Sequence, residues 1–148
     1  MSKIQLRIYK PYTLKSFFQK QTKGIPFLNY QAALKYFFKV SGSVTLAGEV
    51  AGALPGANGM LFVIARNERG VPVAVAKIIN PRFPAEFALT PSSLIMPDLL
   101  TTRVYLEAAL NTHGQLGSFR KGDLRGERPE RAYFISKDIQ VRLDSTVK

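Results

Sequence analysis

From Val40 onward, apolar residues recur at every second position in short runs, and the runs are broken by glycine, proline or asparagine. A period of two sends alternate side chains to opposite faces of a strand. A chain made of such runs has to pair them into sheets and bury one face of each. "VSGSVTLA" (40–47) opens the series, with Val40, Gly42, Val44 and Leu46 on one side and Ser41, Ser43 and Thr45 on the other. "MLFVIA" (60–65) is apolar on both faces, which predicts a central, covered strand. In "VPVAVAKII" (71–79), Pro72 cannot donate to a ladder and belongs at a strand end or edge. "TRVYLEAAL" (102–110) turns Val104, Leu106, Ala108 and Leu110 inward. "DIQVRLD" (138–144) does the same with Ile139, Val141 and Leu143.

The breaks read as turns and loops. They are "AGALPGANG" (51–59), "RNERG" (66–70), "TPSSLIMPD" (90–98), "NTHGQLG" (111–117) and "RKGDLRGE" (120–127). Gly70 is available for a positive φ. In "KIINPRFPAEFAL" (77–89), Pro81 and Pro84 stop one strand and turn the chain at Arg82. A corner between two strands explains that spacing. Arg82 and Phe83 are also the expected exposed docking point. About seven short strands with frequent turn signals predict an all-β, antiparallel sandwich.

Residues 1–39 follow another pattern. They hold Lys3, Arg7, Lys10, Lys15, Lys20, Lys23, Lys35 and Lys39 and no carboxylate; the first acid is Glu49. Of the net charge of +11, only +3 arises from residue 40 onward. Nine aromatic residues are interleaved with these cations. Asn29 can cap a helix running to about Lys39. That helix would place Tyr30, Ala33, Leu34, Phe37 and Phe38 on one face, flanked by Lys35 and Lys39. The chain thus divides into a basic aromatic segment, 1–39, partly helical, and a sandwich domain, 40–148. Three readings of the segment stand side by side. It grips single-stranded nucleic acid by charge and stacking. It lies on an anionic membrane surface. Or its aromatics pack on the sandwich while the lysines stay solvated.

Several chemistries are excluded. Without cysteine there is no disulfide, thiolate metal site or cysteine nucleophile. His113 is the only histidine, so one chain holds no histidine cluster, and its turn-like setting predicts a solvated side chain. Met60 reads as core and Met96 as a turn anchor. Glu127 and Glu130 lie among Arg125, Arg128 and Arg131, where solvated ion pairs are expected. Asp123 in "GDLRG" is placed to make an Asx-type turn bond. There is no phosphate cradle and no nucleophile motif, so neither an enzyme nor a bound cofactor is expected. No signal peptide is readable, and no run approaches the ~20 apolar residues of a membrane span.

Residues 40–66, "VSGSVTLAGEVAGALPGANGMLFVIAR", resemble the start of the C-terminal Ig-like domain of cytochrome c-type biogenesis proteins of the CcmI or CycH type. "PVAVAKIINPRFPAEFAL", "SSLIMP" and "RVYLEAALNTHGQLGSFRKGDLRGE" resemble the succeeding pieces in order, so the likeness covers roughly 40–127. Asp98 and Asn111 depart from the pattern, where glycine and a basic residue are usual. The resemblance implies an Ig-like sandwich acting without catalysis in cytochrome c maturation. Its implied partners are apocytochrome c or components of the haem lyase. Its implied place is the periplasm or the periplasmic face of the inner membrane. The residues expected at such an interface are Arg82, Phe83, Arg66, Lys35 and Lys39.

Overall fold

The computed structural model describes residues 29–54 and 58–148; the readings made for 1–28 and for 55–57 lie outside the described residues. Asn29 acts as the expected cap. Its side-chain oxygen accepts a hydrogen bond from the Ala32 amide at 2.9 Å, satisfying one of the donors that a helix start leaves unpaired. Helix α1 spans Tyr30–Phe37 and buries Ala33 and Leu34. It ends sooner than the apolar stripe requires. Phe38 is already extended, with ψ 123°, and is fully buried, whereas Phe37 is 46% exposed. The break in helical phase separates two residues that a continued helix would hold on one face. Lys39 starts the first strand instead of ending the helix.

Among the described residues nine strands follow: β1 (Lys39–Leu46), β2 (Met60–Arg66), β3 (Pro72–Ile79), β4 (Ala85–Leu89), β5 (Arg103–Asn111), β6 (Leu124–Glu127), β7 (Ala132–Tyr133), β8 (Ile135–Leu143) and β9 (Ser145–Thr146). They form a three-stranded sheet in the order β4-β1-β8 and a larger one in the order β3-β2-β5-β6-β9, with β7 on the start of β5. The result is an all-β, Ig-like sandwich. Strand β2 lies between β3 and β5, as its two apolar faces predict, and Leu61, Val63 and Ala65 are fully buried. Pro72 is the first residue of an edge strand, where its missing donor costs nothing. Side chains from both inner faces meet in one core that includes Phe38, Leu61, Leu89, Leu106, Phe134 and Leu143. Each fully buried side chain of this size contributes about 1.5–3 kcal/mol.

Two features differ from the sequence reading. Not every pairing is antiparallel: β1 and β8 run parallel, with Val44 beside Val141 and Leu46 beside Leu143. The chain leaves β7 and enters β8 at the end where β1 begins, so the two strands point the same way. Residues 124–127 form strand β6 and not a loop. Gly122, at φ 94°, turns the chain into it, and Leu124 points into the core with no exposed surface.

Glycine permits the closest backbone approach. A Cβ at Gly126 would sit 1.7 Å from the Arg142 carbonyl oxygen, and the Asp144 amide donates to the Arg125 carbonyl at 3.0 Å. Strand β8 therefore abuts β6 and closes one side of the sandwich.

On the other side, residues 80–84 carry the chain from β3 in one sheet to β4 in the other. The proline-bounded stretch is thus a corner between layers. Asn80 takes a positive φ of 49°, and the Phe83–Pro84 peptide is cis. Phe83 is half-buried and packs against the core.

The strand register defines two ends. At one lie α1, the 66–72 turn, the 90–102 connection and the β7–β8 crossing. At the other lie the 80–84 corner and the 112–123 connection. Among the described residues, no helix is long and apolar enough to cross a membrane.

Candidate interaction surface

Strand β5 sets the site by alternation. Val104, Leu106 and Ala108 fill the core, so Arg103, Tyr105 and Glu107 point outward. Strand β7 pairs Tyr133 directly with Arg103, and the guanidinium carbon lies 5.6 Å from the ring centroid. Farther along, Arg131 stands 5.8 Å from the Tyr105 ring and 3.6 Å from the Glu68 carboxylate. Tyr105 is also the ladder partner of Arg66. The Arg66 Nε donates to Glu107 Oε1, and its Nη1 donates to the Gly70 carbonyl at 3.0 Å. Arg128 donates to the carbonyls of Glu130 and Arg131 at 2.9 and 3.3 Å. The outcome is a flank of tyrosines and arginines held by stacking and ion pairs, with both tyrosines exposed.

This flank belongs to a larger asymmetry. Among the described residues, eight of the twelve exposed large apolar side chains gather at the helix end: Tyr36, Phe37, Ile95, Met96, Leu99, Tyr105, Tyr133 and Ile135. Apolar side chains scattered singly are ordinary, but their concentration at one end makes that end the candidate contact surface. A cleft of about 130 Å³ beside Tyr105, lined by Arg66, Glu107, Glu127 and Arg128, is far smaller than the ~300–1,000 Å³ of a small-molecule site. The arrangement suits a broad macromolecular contact.

The five residues expected from sequence divide between the ends. Lys35, Lys39 and Arg66 lie at the helix end, whereas Arg82 is exposed at the opposite corner and Phe83 faces the core there. Lys35 is engaged by Asp98 at 2.9 Å. Lys39 is exposed, and its amide donates to the Phe134 carbonyl at 2.8 Å. The sequence reading passed over Arg103, Tyr105 and Tyr133, and took Arg131 only as a member of solvated ion pairs. The signal was present in "RVYLE", whose alternation exposes Arg103 and Tyr105, but their partners come from residues about thirty positions away.

His113 corrects another expectation. Its side chain is buried, and both ring nitrogens are engaged, Nε2 by Asp123 and Nδ1 by the Gln115 amide. Asp123 does not make the forward Asx-type bond; its carboxylate reaches back and accepts from the Arg120 amide at 2.9 Å. Met96 is exposed in its turn. Among the described residues, no group of three or more His, Asp or Glu side chains is placed to hold a metal ion.

A family model, that of the cytochrome c-type biogenesis protein H Ig-like domain, matches residues 40–144. The chain belongs to this family. Membership of the cytochrome c biogenesis Ig-like family points to an accessory role. The matched region runs from β1 to the end of β8 and so includes the tyrosine–arginine flank but not α1. Comparisons with curated proteins and with solved structures return no significant match.

Proposed function

We propose that this cytochrome c biogenesis Ig-like domain is a non-catalytic docking module on the periplasmic side of the membrane. It binds apocytochrome c or a haem-lyase component through the flank built on Tyr105, Tyr133, Arg103 and Arg131. The observation that carries this reading is the pre-ordering of the flank. Tyrosine and arginine are enriched at protein interfaces and dominate binding energy when buried there. Here each tyrosine ring is already paired with an arginine, so less side-chain freedom is lost on docking. Arg66 supports the flank from beneath, and Lys35 and Lys39 lie at the same end.

Arg82, exposed at the far corner, is the alternative docking point. The two readings separate in one assay, which measures binding of the full chain to an apocytochrome c peptide carrying the Cys-x-x-Cys-His motif and to the haem-lyase component. Tyr105→Ala is expected to weaken binding roughly thirtyfold, the loss of about 2 kcal/mol that defines a hot spot. Arg82→Ala is expected to leave it unchanged. The reverse pattern would move the site to the corner.

A further inference from the structure

We propose that the tip of the helix end, distinct from the tyrosine–arginine flank, is a surface that rests on an anionic lipid layer. Tyr36 is 73% exposed and Ile135 51% exposed, and the Tyr36 and Phe37 rings meet edge to face with centroids 5.0 Å apart. Lys39 follows Phe37 by two residues and sits beside Ile135 in the parallel ladder. Lys137, on the same strand, is also exposed. Across α1, Ile95, Met96 and Leu99 present further apolar surface. Aromatic and aliphatic tips flanked by the ammonium groups of Lys39 and Lys137 have the composition of an interfacial anchor: the apolar ends enter the headgroup boundary and the lysines reach the phosphates.

Charge and chain path favour lipid over a second protein as the occupant. Residues 1–28 carry six basic residues and no carboxylate, and the chain enters the fold at Asn29. That point lies one eight-residue helix, ~12 Å, from Tyr36 and Phe37. The part of the sequence richest in positive charge thus joins the fold at this end. The exposed cations at the tip are lysines, point charges suited to mobile phosphates, whereas the flank carries planar guanidinium groups. Of the acids at this end, Asp98 is engaged by Lys35, Glu68 by Arg131 and Glu130 by Arg128, which leaves Asp138 beside Lys137. The tip shares no residue with the pairs that hold Tyr105 and Tyr133.

The test is sedimentation of the full chain with vesicles of phosphatidylcholine alone and with phosphatidylglycerol added. Binding is expected only when phosphatidylglycerol is present. Lys137→Glu is expected to weaken it about fivefold or more, the contribution of a basic residue near an anionic surface. Tyr36→Ser combined with Ile135→Ser is expected to weaken it roughly tenfold through lost apolar burial. These positions are exposed, so unchanged thermal melting of the variants serves as the folding control. Equal binding to both vesicle types would overturn the proposal. So would wild-type binding by the variants, since residues 1–28 alone would then carry the attachment. The variants are expected to keep peptide binding through Tyr105, so failure here and failure of the docking reading are told apart.

Discussion

His113 Nε2 stands 2.7 Å from Asp123 Oδ2, and both side chains are 8% exposed. His113 Nδ1 accepts from the Gln115 amide at 3.2 Å, which assigns the imidazole proton to Nε2 and makes the ring the donor to the carboxylate. The Asp123 backbone is bound in turn, its carbonyl accepting from the Val147 amide at 2.8 Å. The pair thus pins the connection between β5 and β6 to the C-terminal strand. His113→Ala is expected to destabilise the domain by about 1–3 kcal/mol. Asp123→Ala is expected to cost more, because it strips acceptors from both His113 and the Arg120 amide. Urea unfolding measures both.

Gly126 and Gly42 are expected to tolerate no side chain. A Cβ at Gly42 would lie 1.7 Å from the Ile139 carbonyl oxygen, the same overlap that Gly126 would make with Arg142. In each case the obstacle is backbone, which cannot swing aside. Gly126→Ala is expected to cost about 3 kcal/mol or more by prising β8 from β6. Gly52→Ala, where a Cβ meets nothing within 4 Å, is the control and should melt like the wild type.

Tyr30 gives the domain an alkaline dependence. Its hydroxyl bonds the Thr102 hydroxyl, and burial, followed by the nearby Glu68 charge, raises its pKa above the ordinary 10.0. The folded state therefore holds the phenol proton more tightly than the unfolded state. The stability that this contributes is fully present below the unfolded pKa and is lost as pH rises through the folded one. Melting temperature should fall above about pH 10, and Tyr30→Phe should flatten that part of the curve.

Arg66 is expected to matter more for stability than for binding. Glu107 is 9% exposed at its side chain and lies directly opposite Glu127 in the ladder. Removing the guanidinium leaves a nearly buried carboxylate beside a like charge, at a cost of about 1–3 kcal/mol. Glu107→Gln in the Arg66→Ala background should recover part of the loss in a double-mutant cycle.

Local rules carried much of this fold. Asn29 capped its helix, Pro72 took an edge, "MLFVIA" became the covered β2, and Pro81 and Pro84 bounded a corner. Each depends on neighbours within a few residues. What escaped depends on distant ones. Parallel pairing of β1 with β8 joins residues about a hundred positions apart, and a period of two is the same for either direction. The His113–Asp123 pair needs the loop closed before the histidine is seen to be buried. Phe37 and Phe38, expected on one face, parted because the backbone turns extended at Phe38 and ends the helix, leaving Phe37 exposed. At the interaction surface, the outward alternation of Arg103 and Tyr105 was legible, but the partners that order them come from β7 and the 128–131 turn.

The central claim, docking of a maturation partner through the Tyr105 flank, is tested most directly by one titration. The full chain is titrated with a fluorescent apocytochrome c peptide and, in parallel, with a single-stranded oligonucleotide, from about 50 to about 200 mM salt, a range over which phosphate contacts lose most of their affinity. The account predicts peptide binding that persists across this range and is lost in Tyr105→Ala. No peptide binding, or oligonucleotide binding that dominates and collapses with salt, would contradict it and shift the function to the basic segment at residues 1–39.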